Sequence, residues 1–295
     1  MSPIPFSEIG IGFGTMSLCI TDDRPSRSEA VRMIEEAVEH GLSFIDTANC
    51  YALDGSEFGY GDELVRPFMD REGVTVATKG GMTRTGKAWG SRGDPKYLRE
   101  MCDASLKRLG TNSIDLYQSH TPDPNVGYEE SIGELVRLRT EGKIKNIGVS
   151  NVELAELKIA KELADVCSVQ NPLSIIYYQP NEREEIDTML RYCEGNNIAF
   201  IAYAPVGGHR QAHLLPTVSD DFNQLAEEEG LTLYQLVLLA LRALSPMIVP
   251  IPGSKTRKHI LENLATAKMR LAAETLRRIA EIMEVPVDAF RGMGI

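Results

Sequence analysis

From Asp94 to Gln118 the chain reads DPKYLREMCDASLKRLGTNSIDLYQ. Asp94 is a helix N-cap type, Pro95 suits the first helical position, and Leu98, Met101, Cys102, Ser105, Leu106 and Leu109 recur at the spacing of one helix face. Gly110 supplies the C-terminal stop. A short turn then leads to Ile114 to Gln118, a run that reads as a strand. A helix feeding such a strand is part of a βαβ unit, the connection that makes neighbouring strands parallel.

The same grammar repeats in both directions. Val31, Ile34, Ala37 and Val38 share a face before Gly41, and further helices are read at about Tyr128 to Glu141, Val152 to Ala164, Arg183 to Asn196, Asp221 to Glu229, Leu233 to Leu244, Lys258 to Ala265 and Ala273 to Met283. Eight strand-like runs lie between them: Ile9 to Phe13, Ser43 to Asp46, Val74 to Thr78, Ile114 to Gln118, Ile144 to Val149, Val166 to Val169, Ile198 to Tyr203 and Met247 to Ile251. Most are apolar without strict alternation, as in strands covered on both faces. Their starts are 22 to 49 residues apart, one βαβ unit at a time, with no linker and no change of grammar. The pattern predicts an α/β fold, a closed (β/α)8 TIM barrel in a single domain over residues 1–295, with an open doubly wound sheet as the alternative. Gly10-Ile11-Gly12-Phe13-Gly14 is a partial dinucleotide fingerprint, but no helix opens after it and Met16 to Ile20 stays apolar. Its glycines read as letting the chain turn into and out of the first strand.

With 295 residues, 43% hydrophobic and 25% charged, the composition is that of a folded protein, and disordered or collagen-like classes are excluded. Lys and Arg number 31 against 42 Asp and Glu, so a net charge of −11 repels nucleic acid and anionic lipid, and any phosphate site must be local. Met-Ser-Pro-Ile-Pro-Phe-Ser-Glu has neither a basic start nor an unbroken apolar core, and the longest apolar run, Leu236 to Leu241, ends at Arg242; neither a signal peptide nor a membrane span is expected. Five widely spaced cysteines without a Cys-x-x-Cys pair point to a reducing, cytoplasmic setting without a zinc knuckle.

In a parallel barrel the C-terminal ends of the strands converge on one mouth. Here those ends carry Asp46 with Tyr51 in the loop beyond it, Lys79, His120, Ser150-Asn151, Gln170-Asn171, Tyr203 and Gly253-Ser254-Lys255. Singly, Asp46 reads as a cap, Lys79 as a solvated cation and His120 as a core imidazole. Together, an acid, a phenol, a lysine and a histidine suit proton delivery to a carbonyl oxygen: a nearby ammonium stabilises phenolate and is expected to lower the phenol's pKa from about 10. Asp46 would be the lysine's counter-ion.

Seven segments carry a resemblance: Asp46-Thr47-Ala48-Asn49-Cys50-Tyr51, Thr78-Lys79, Asp115-Leu116-Tyr117-Gln118-Ser119-His120, Gly148-Val149-Ser150-Asn151, Val169-Gln170-Asn171, Tyr203-Ala204-Pro205 and Ile251-Pro252-Gly253-Ser254. In this order, over about residues 9 to 285, the chain resembles the aldo-keto reductases. The resemblance implies reduction of an aldehyde or ketone, or the reverse, with Asp46, Tyr51, Lys79 and His120 as the catalytic four and hydride from a nicotinamide cofactor. It further implies that Ser150, Asn151 and Gln170 hold the carboxamide and that Tyr203 stacks on the nicotinamide. Gly253 to Asn263 would wrap the adenosine phosphate, with Ser254, Lys255 and Arg257 as donors and Glu262 and Asn263 near the adenine. Cations at 255, 257 and 258 in so acidic a chain favour the 2′-phosphate of NADPH over NADH. Three positions depart from the family pattern. Ala52 stands where a glycine often follows the tyrosine, and Gly253 with His259 stands where many members carry Lys and Arg. The phosphate assignment therefore rests on Lys255 and Arg257.

The remaining features carry less. His209 and His213 are four apart, but Gly207-Gly208 and Pro216 make the segment a loop, so no metal site is expected. Cys50 reads as a small filler beside Tyr51 rather than a reactive thiol. Trp89, the one tryptophan, lies in the glycine-rich stretch 80–93, read as a mobile wall of the substrate pocket. The rival reading is a cofactor-sensing regulatory subunit of the same fold, which would bind NADPH with little turnover. The substrate itself and the oligomeric state have no chemical signature in the loops at 80–93, 122–127, 206–217 and 285–295.

Overall fold

Side chains alternate between the two faces of a strand, so in a closed barrel every second residue points inward. The computed structural model, which describes residues 4–175, 178 and 180–292, has this construction. Eight parallel strands follow one another around the sheet: β1 (Phe13–Gly14), β2 (Phe44–Asp46), β3 (Thr75–Gly80), β6 (Ile114–Ser119), β7 (Ile144–Ser150), β8 (Val166–Pro172), β9 (Ala199–Tyr203) and β10 (Ile248–Pro250). The seam closes where the Gly12 and Gly14 N–H groups donate to the Pro250 and Pro252 carbonyls at 2.9 and 3.4 Å. The fold is the expected (β/α)8 barrel, and the open sheet is excluded.

The seam gives the N-terminal glycines a different role from the turn expected of them. Gly10, Gly12 and Gly14 have no positive φ. A Cβ would lie 2.6 Å from the Ala267 carbonyl oxygen at Gly10, 2.7 Å from the Phe44 ring at Gly12 and 2.9 Å from the Ile251 carbonyl oxygen at Gly14. They are small because the seam is tight.

Inside the barrel, Phe44, Ala77, Leu116, Ile201 and Val249 form an apolar layer with Ile9 and Ile251, and Phe6 meets Phe44 edge-on at 5.7 Å between ring centroids. Two residues further along the same strands come Asp46, Lys79, Gln118 and Tyr203. Period two thus places a polar layer directly on an apolar floor.

Outside the barrel run α1 (Arg27–Glu39), α2 (Tyr60–Val65), α3 (Pro95–Leu109), α4 (Tyr128–Thr140), α5 (Leu154–Leu163), α6 (Pro180–Asn196), α7 (Gly208–Gln211), α8 (Asp220–Glu228), α9 (Leu233–Leu244), α10 (Arg257–Ala265) and α11 (Ala273–Ile282). The caps read from sequence act as expected. Asp94 accepts the Tyr97 N–H at 3.0 Å, and Gly110 ends α3 at φ 72°. Among the described residues no helix is long and apolar enough to cross a membrane.

Three local expectations are corrected. The first strand is Phe13–Gly14 rather than Ile9 to Phe13, because the chain pairs only once it reaches the seam. The stretch 80–93, read as a loop, contains an antiparallel hairpin, β4 (Met82–Thr85) and β5 (Ala88–Ser91), with Arg84 opposite Trp89. The segment around His209 and His213 is not a loop: His209 is in α7 and His213 in a 3-10 turn, Ala212–Thr217. The side chain of His209 lies outside the described residues, as do the last three positions of the segment 285–295.

Candidate active site at the barrel mouth

The polar layer is organised around one ion pair. Lys79 on β3 is 0% exposed, and its ammonium donates to Asp46 Oδ1 at 2.5 Å, the Thr47 carbonyl at 2.9 Å and the Tyr51 hydroxyl at 3.3 Å. An ammonium has three hydrogens, so each has an acceptor. The other Asp46 oxygen accepts from Gln118 Nε2 at 3.0 Å and Gln170 Nε2 at 2.8 Å. The buried charges are therefore both paired and hydrogen-bonded, the condition under which burial is tolerated.

Tyr51 and His120 complete the group, their rings edge to face with centroids 5.8 Å apart. Tyr51 accepts from Lys79, which leaves its own O–H free to donate elsewhere. The expectation that Lys79 lowers the phenol's pKa is not met. Burial, and after it the Asp46 charge, push it well above 10. In this state the phenol holds its proton, as a general acid must before transfer.

Burial, followed by the Lys79 charge, pushes the His120 pKa well below 6.5, so the ring is neutral. Its Nδ1 is 3.5 Å from Cys50 Sγ, and burial pushes that thiol up to about 12. A protonated thiol can donate to Nδ1, which puts the ring hydrogen on Nε2. Cys50 is thus a packed thiol and not a reactive thiolate.

His120 carries a pH signature whose sign is fixed by the direction of its shift. An unfolded imidazole takes up a proton near pH 6.5 and the buried one does not, so stability present above that pH is lost as the pH falls. The slope from this group is about 1.4 kcal/mol per pH unit. Between pH 6.5 and 5 the parent should lose denaturant stability more steeply than His120→Gln by about this amount. Parallel curves would show that His120 is protonated in the folded protein.

From the tetrad the network runs to the next strands. Asn151, at φ 56°, donates from Nδ2 to the His120 carbonyl at 2.9 Å and to Ser150 Oγ at 3.1 Å, and its Oδ1 accepts the Tyr203 hydroxyl at 2.8 Å. The structure thus joins Asp46, Tyr51, Lys79, His120, Ser150, Asn151, Gln170 and Tyr203. The Gln170 Nε2 is committed to Asp46 and, at 3.3 Å, to Gln118, which leaves its carbonyl oxygen as the atom with capacity to spare.

The predicted phosphate segment lies beyond β10. A Cβ on Gly253 would be 2.7 Å from the Gly14 carbonyl oxygen and 3.0 Å from Ser17 Oγ, a buried hydroxyl without a hydrogen-bond partner. Ser254 Oγ accepts the Thr256 N–H at 3.1 Å, and α10 begins at Arg257 with no side-chain cap on its N-terminus. Lys255 pairs with Asp23 at 2.5 Å and Arg257 with Glu36. Glu262 pairs with Lys258 at 3.6 Å, and Asn263 borders a small crevice with Gly12, Phe13 and Pro252.

Trp89 is 41% exposed, with the Arg84 guanidinium 3.9 Å from its ring centroid. Among the described residues no group of His, Cys, Asp and Glu is arranged to hold a metal ion.

The sequence reading assigned no role to Gln118, although it is two residues before His120 on the same strand face. It also passed over Asp62, which is buried and accepts Thr78 Oγ1 at 2.6 Å and Ser105 Oγ at 2.7 Å, tying α2 to β3 and α3.

Comparison with known proteins gives a consistent family assignment. Residues 10–284 match the model of the Aldo/keto reductase family. An uncharacterized oxidoreductase of Schizosaccharomyces pombe is 32% identical over 278 residues, 92% of this chain and 85% of that protein. A probable aldo-keto reductase of Glycine max is 30% identical over 302 residues, 93% of this chain and 85% of its own. Among solved structures, an aldo/keto reductase from Klebsiella pneumoniae in complex with NADP and acetate superposes with a TM-score of 0.75 at 25% identity, covering 94% of this chain and 92% of that one.

Proposed function

The chain belongs to the aldo/keto reductase family and is an NAD(P)H-dependent carbonyl oxidoreductase, and on that premise we propose that Tyr51 is its proton donor, served by Lys79, Asp46 and His120. The observation that carries this reading is the full commitment of the Lys79 ammonium to Asp46, Thr47 and the Tyr51 oxygen. Because Tyr51 accepts from Lys79, its proton is left for a carbonyl oxygen in the mouth. As that proton leaves, the ammonium 3.3 Å away stabilises the phenolate left behind. Neutral His120, edge-on to Tyr51, orients the same substrate oxygen by hydrogen bonding.

The bound nicotinamide supplies the hydride. The donor set suits NADPH. Ser17 Oγ is a buried hydroxyl without a partner beside Gly253, and α10 starts with free backbone N–H groups flanked by Lys255 and Arg257, an anion-binding arrangement. In this reading Ser150, Asn151 and the Gln170 oxygen hold the carboxamide, Tyr203 covers the nicotinamide, and Gly253, Ser254, Glu262 and Asn263 line the adenosine end. We assign Trp89 to the substrate wall, treat residues 1–295 as one domain, and place the protein in the cytoplasm with a small carbonyl compound as its partner.

The test is turnover. NADPH oxidation should be seen with at least one class among aromatic aldehydes, sugar aldehydes, dicarbonyls, pyridoxal and ketosteroids. Tight NADPH binding without oxidation by any of them would favour the cofactor-sensing subunit instead.

A second measurement addresses the phosphate. Lys255 and Arg257 are already paired with carboxylates at the surface, so a phosphate replaces existing partners and the net gain is reduced. Replacing both by Ala should weaken NADPH binding about tenfold, roughly 1.4 kcal/mol, and leave NADH binding nearly unchanged. An equal loss for both cofactors would show that these residues do not read the 2′-phosphate.

A further inference from the structure

The hairpin β4–β5 is fastened to the loop that carries Tyr51. Arg84 Nη1 donates to the Ala52 carbonyl at 3.1 Å and reaches the Cys50 carbonyl at 3.5 Å, and Nη2 donates to the Leu53 carbonyl at 2.9 Å. One guanidinium thus gathers backbone oxygens from both sides of Tyr51. Its guanidinium carbon lies 3.9 Å from the ring centroid of Trp89, directly across the hairpin. The hairpin tip adds a backbone bond, from the Gly55 N–H to the Gly86 carbonyl at 2.9 Å, and Gly55 lies so close to Arg84 that a Cβ there would be 2.9 Å from the Arg84 carbonyl oxygen.

Fork geometry matters here. Two nitrogens of a planar guanidinium reach carbonyls separated along the chain while its charge sits over an aromatic ring, whereas an ammonium is a point donor on a flexible stem. The segment held this way is short and irregular. The Tyr51 N–H donates to the Ala48 carbonyl and the Tyr51 carbonyl accepts the Gly61 N–H, so on its other side the segment is held by single turn bonds and not by a strand ladder.

We infer that Arg84, held over the Trp89 ring, is a positioning residue for the proposed reaction: by clamping the carbonyls around Tyr51 it sets the phenol's place beside Lys79 and the carbonyl to be reduced. The inference rests on the reading of Tyr51 as proton donor. It assigns the hairpin a role in the chemical step, separate from any contact of Trp89 with substrate. A phenol that wanders by about an ångström loses much of the advantage of orientation.

The experiment compares the full-length Arg84→Met, Arg84→Lys, Tyr51→Phe and Arg84→Met/Tyr51→Phe proteins, using NADPH and the best carbonyl substrate found. Arg84→Met should lower single-turnover hydride transfer about tenfold, with the NADPH Kd and the substrate KM within about twofold of the parent. Arg84→Lys, which keeps the charge and loses the fork, should recover less than half of that loss. Since Arg84 acts through Tyr51, the double variant should be no slower than Tyr51→Phe alone.

Unchanged hydride transfer in a folded Arg84→Met, or full recovery in Arg84→Lys, would overturn the clamp. So would additive losses in the double variant. If Tyr51→Phe itself turns over normally, the proton-donor reading fails first, and the two failures are told apart by that single variant. Should Arg84→Met not fold, Arg84→Lys against the parent and Tyr51→Phe makes the same comparison.

Discussion

Tyr51→Phe is expected to lower kcat by a factor of about 10² or more while leaving the fold and NADPH affinity as they are. The ring stays, so the edge-on contact with His120 at 5.8 Å is kept, and Lys79 retains Asp46 and the Thr47 carbonyl as acceptors. Only the hydroxyl, which accepts from Lys79 and in the proposed mechanism delivers the proton, is lost. Because product release limits many turnover numbers, the comparison belongs in single-turnover measurements of hydride transfer. A Phe variant reducing substrate at nearly the parental single-turnover rate would remove Tyr51 from the role, and with it the reading of the Lys79 ammonium as phenolate stabiliser.

The barrel was legible because its grammar is local. Caps such as Asp94 and stops such as Gly110 act over one turn, and the apolar strand runs recur once per βαβ unit. Closure was not local: it depends on how near Gly12 approaches Phe44 and on bonds from Gly12 and Gly14 to a segment more than two hundred residues away. In sequence alone the glycines therefore look like turn formers. The hairpin at 82–91 escaped notice because Gly86, Gly90 and Gly93 gave the stretch the composition of a loop, while its pairing is set by register between Arg84 and Trp89.

At the site, the tetrad was visible as residue types at strand ends. Its wiring needed two further steps. Strand period two puts Gln118 on the same inward face as Leu116 and His120. Which amide meets which carboxylate oxygen is a matter of three-dimensional distance. The direction of the Tyr51 shift also escaped, because the ammonium was visible in the sequence while the depth of burial was not. Burial is the larger influence here, and it runs the opposite way.

The ion pair beneath the phenol should matter most to stability. Asp46 is the acceptor for Lys79, Gln118 and Gln170, and it is 1% exposed beside a lysine that is 0% exposed. Asp46→Asn keeps the shape and removes the charge, leaving the ammonium buried without a counter-ion. Breaking a buried pair in this way typically costs about 3–5 kcal/mol. Proton delivery should fall as well, because the ammonium no longer has its anchor beside Tyr51. A control separates the charge from simple disruption. Asp46→Asn/Lys79→Met buries no net charge at this pair, so it should regain a large part of the lost stability while remaining inactive. Thermal unfolding of the three proteins at pH 7 makes the comparison. If Asp46→Asn unfolds with the parent, or if removing Lys79 as well deepens the loss, then the pair is not the buried electrostatic support on which the phenol rests.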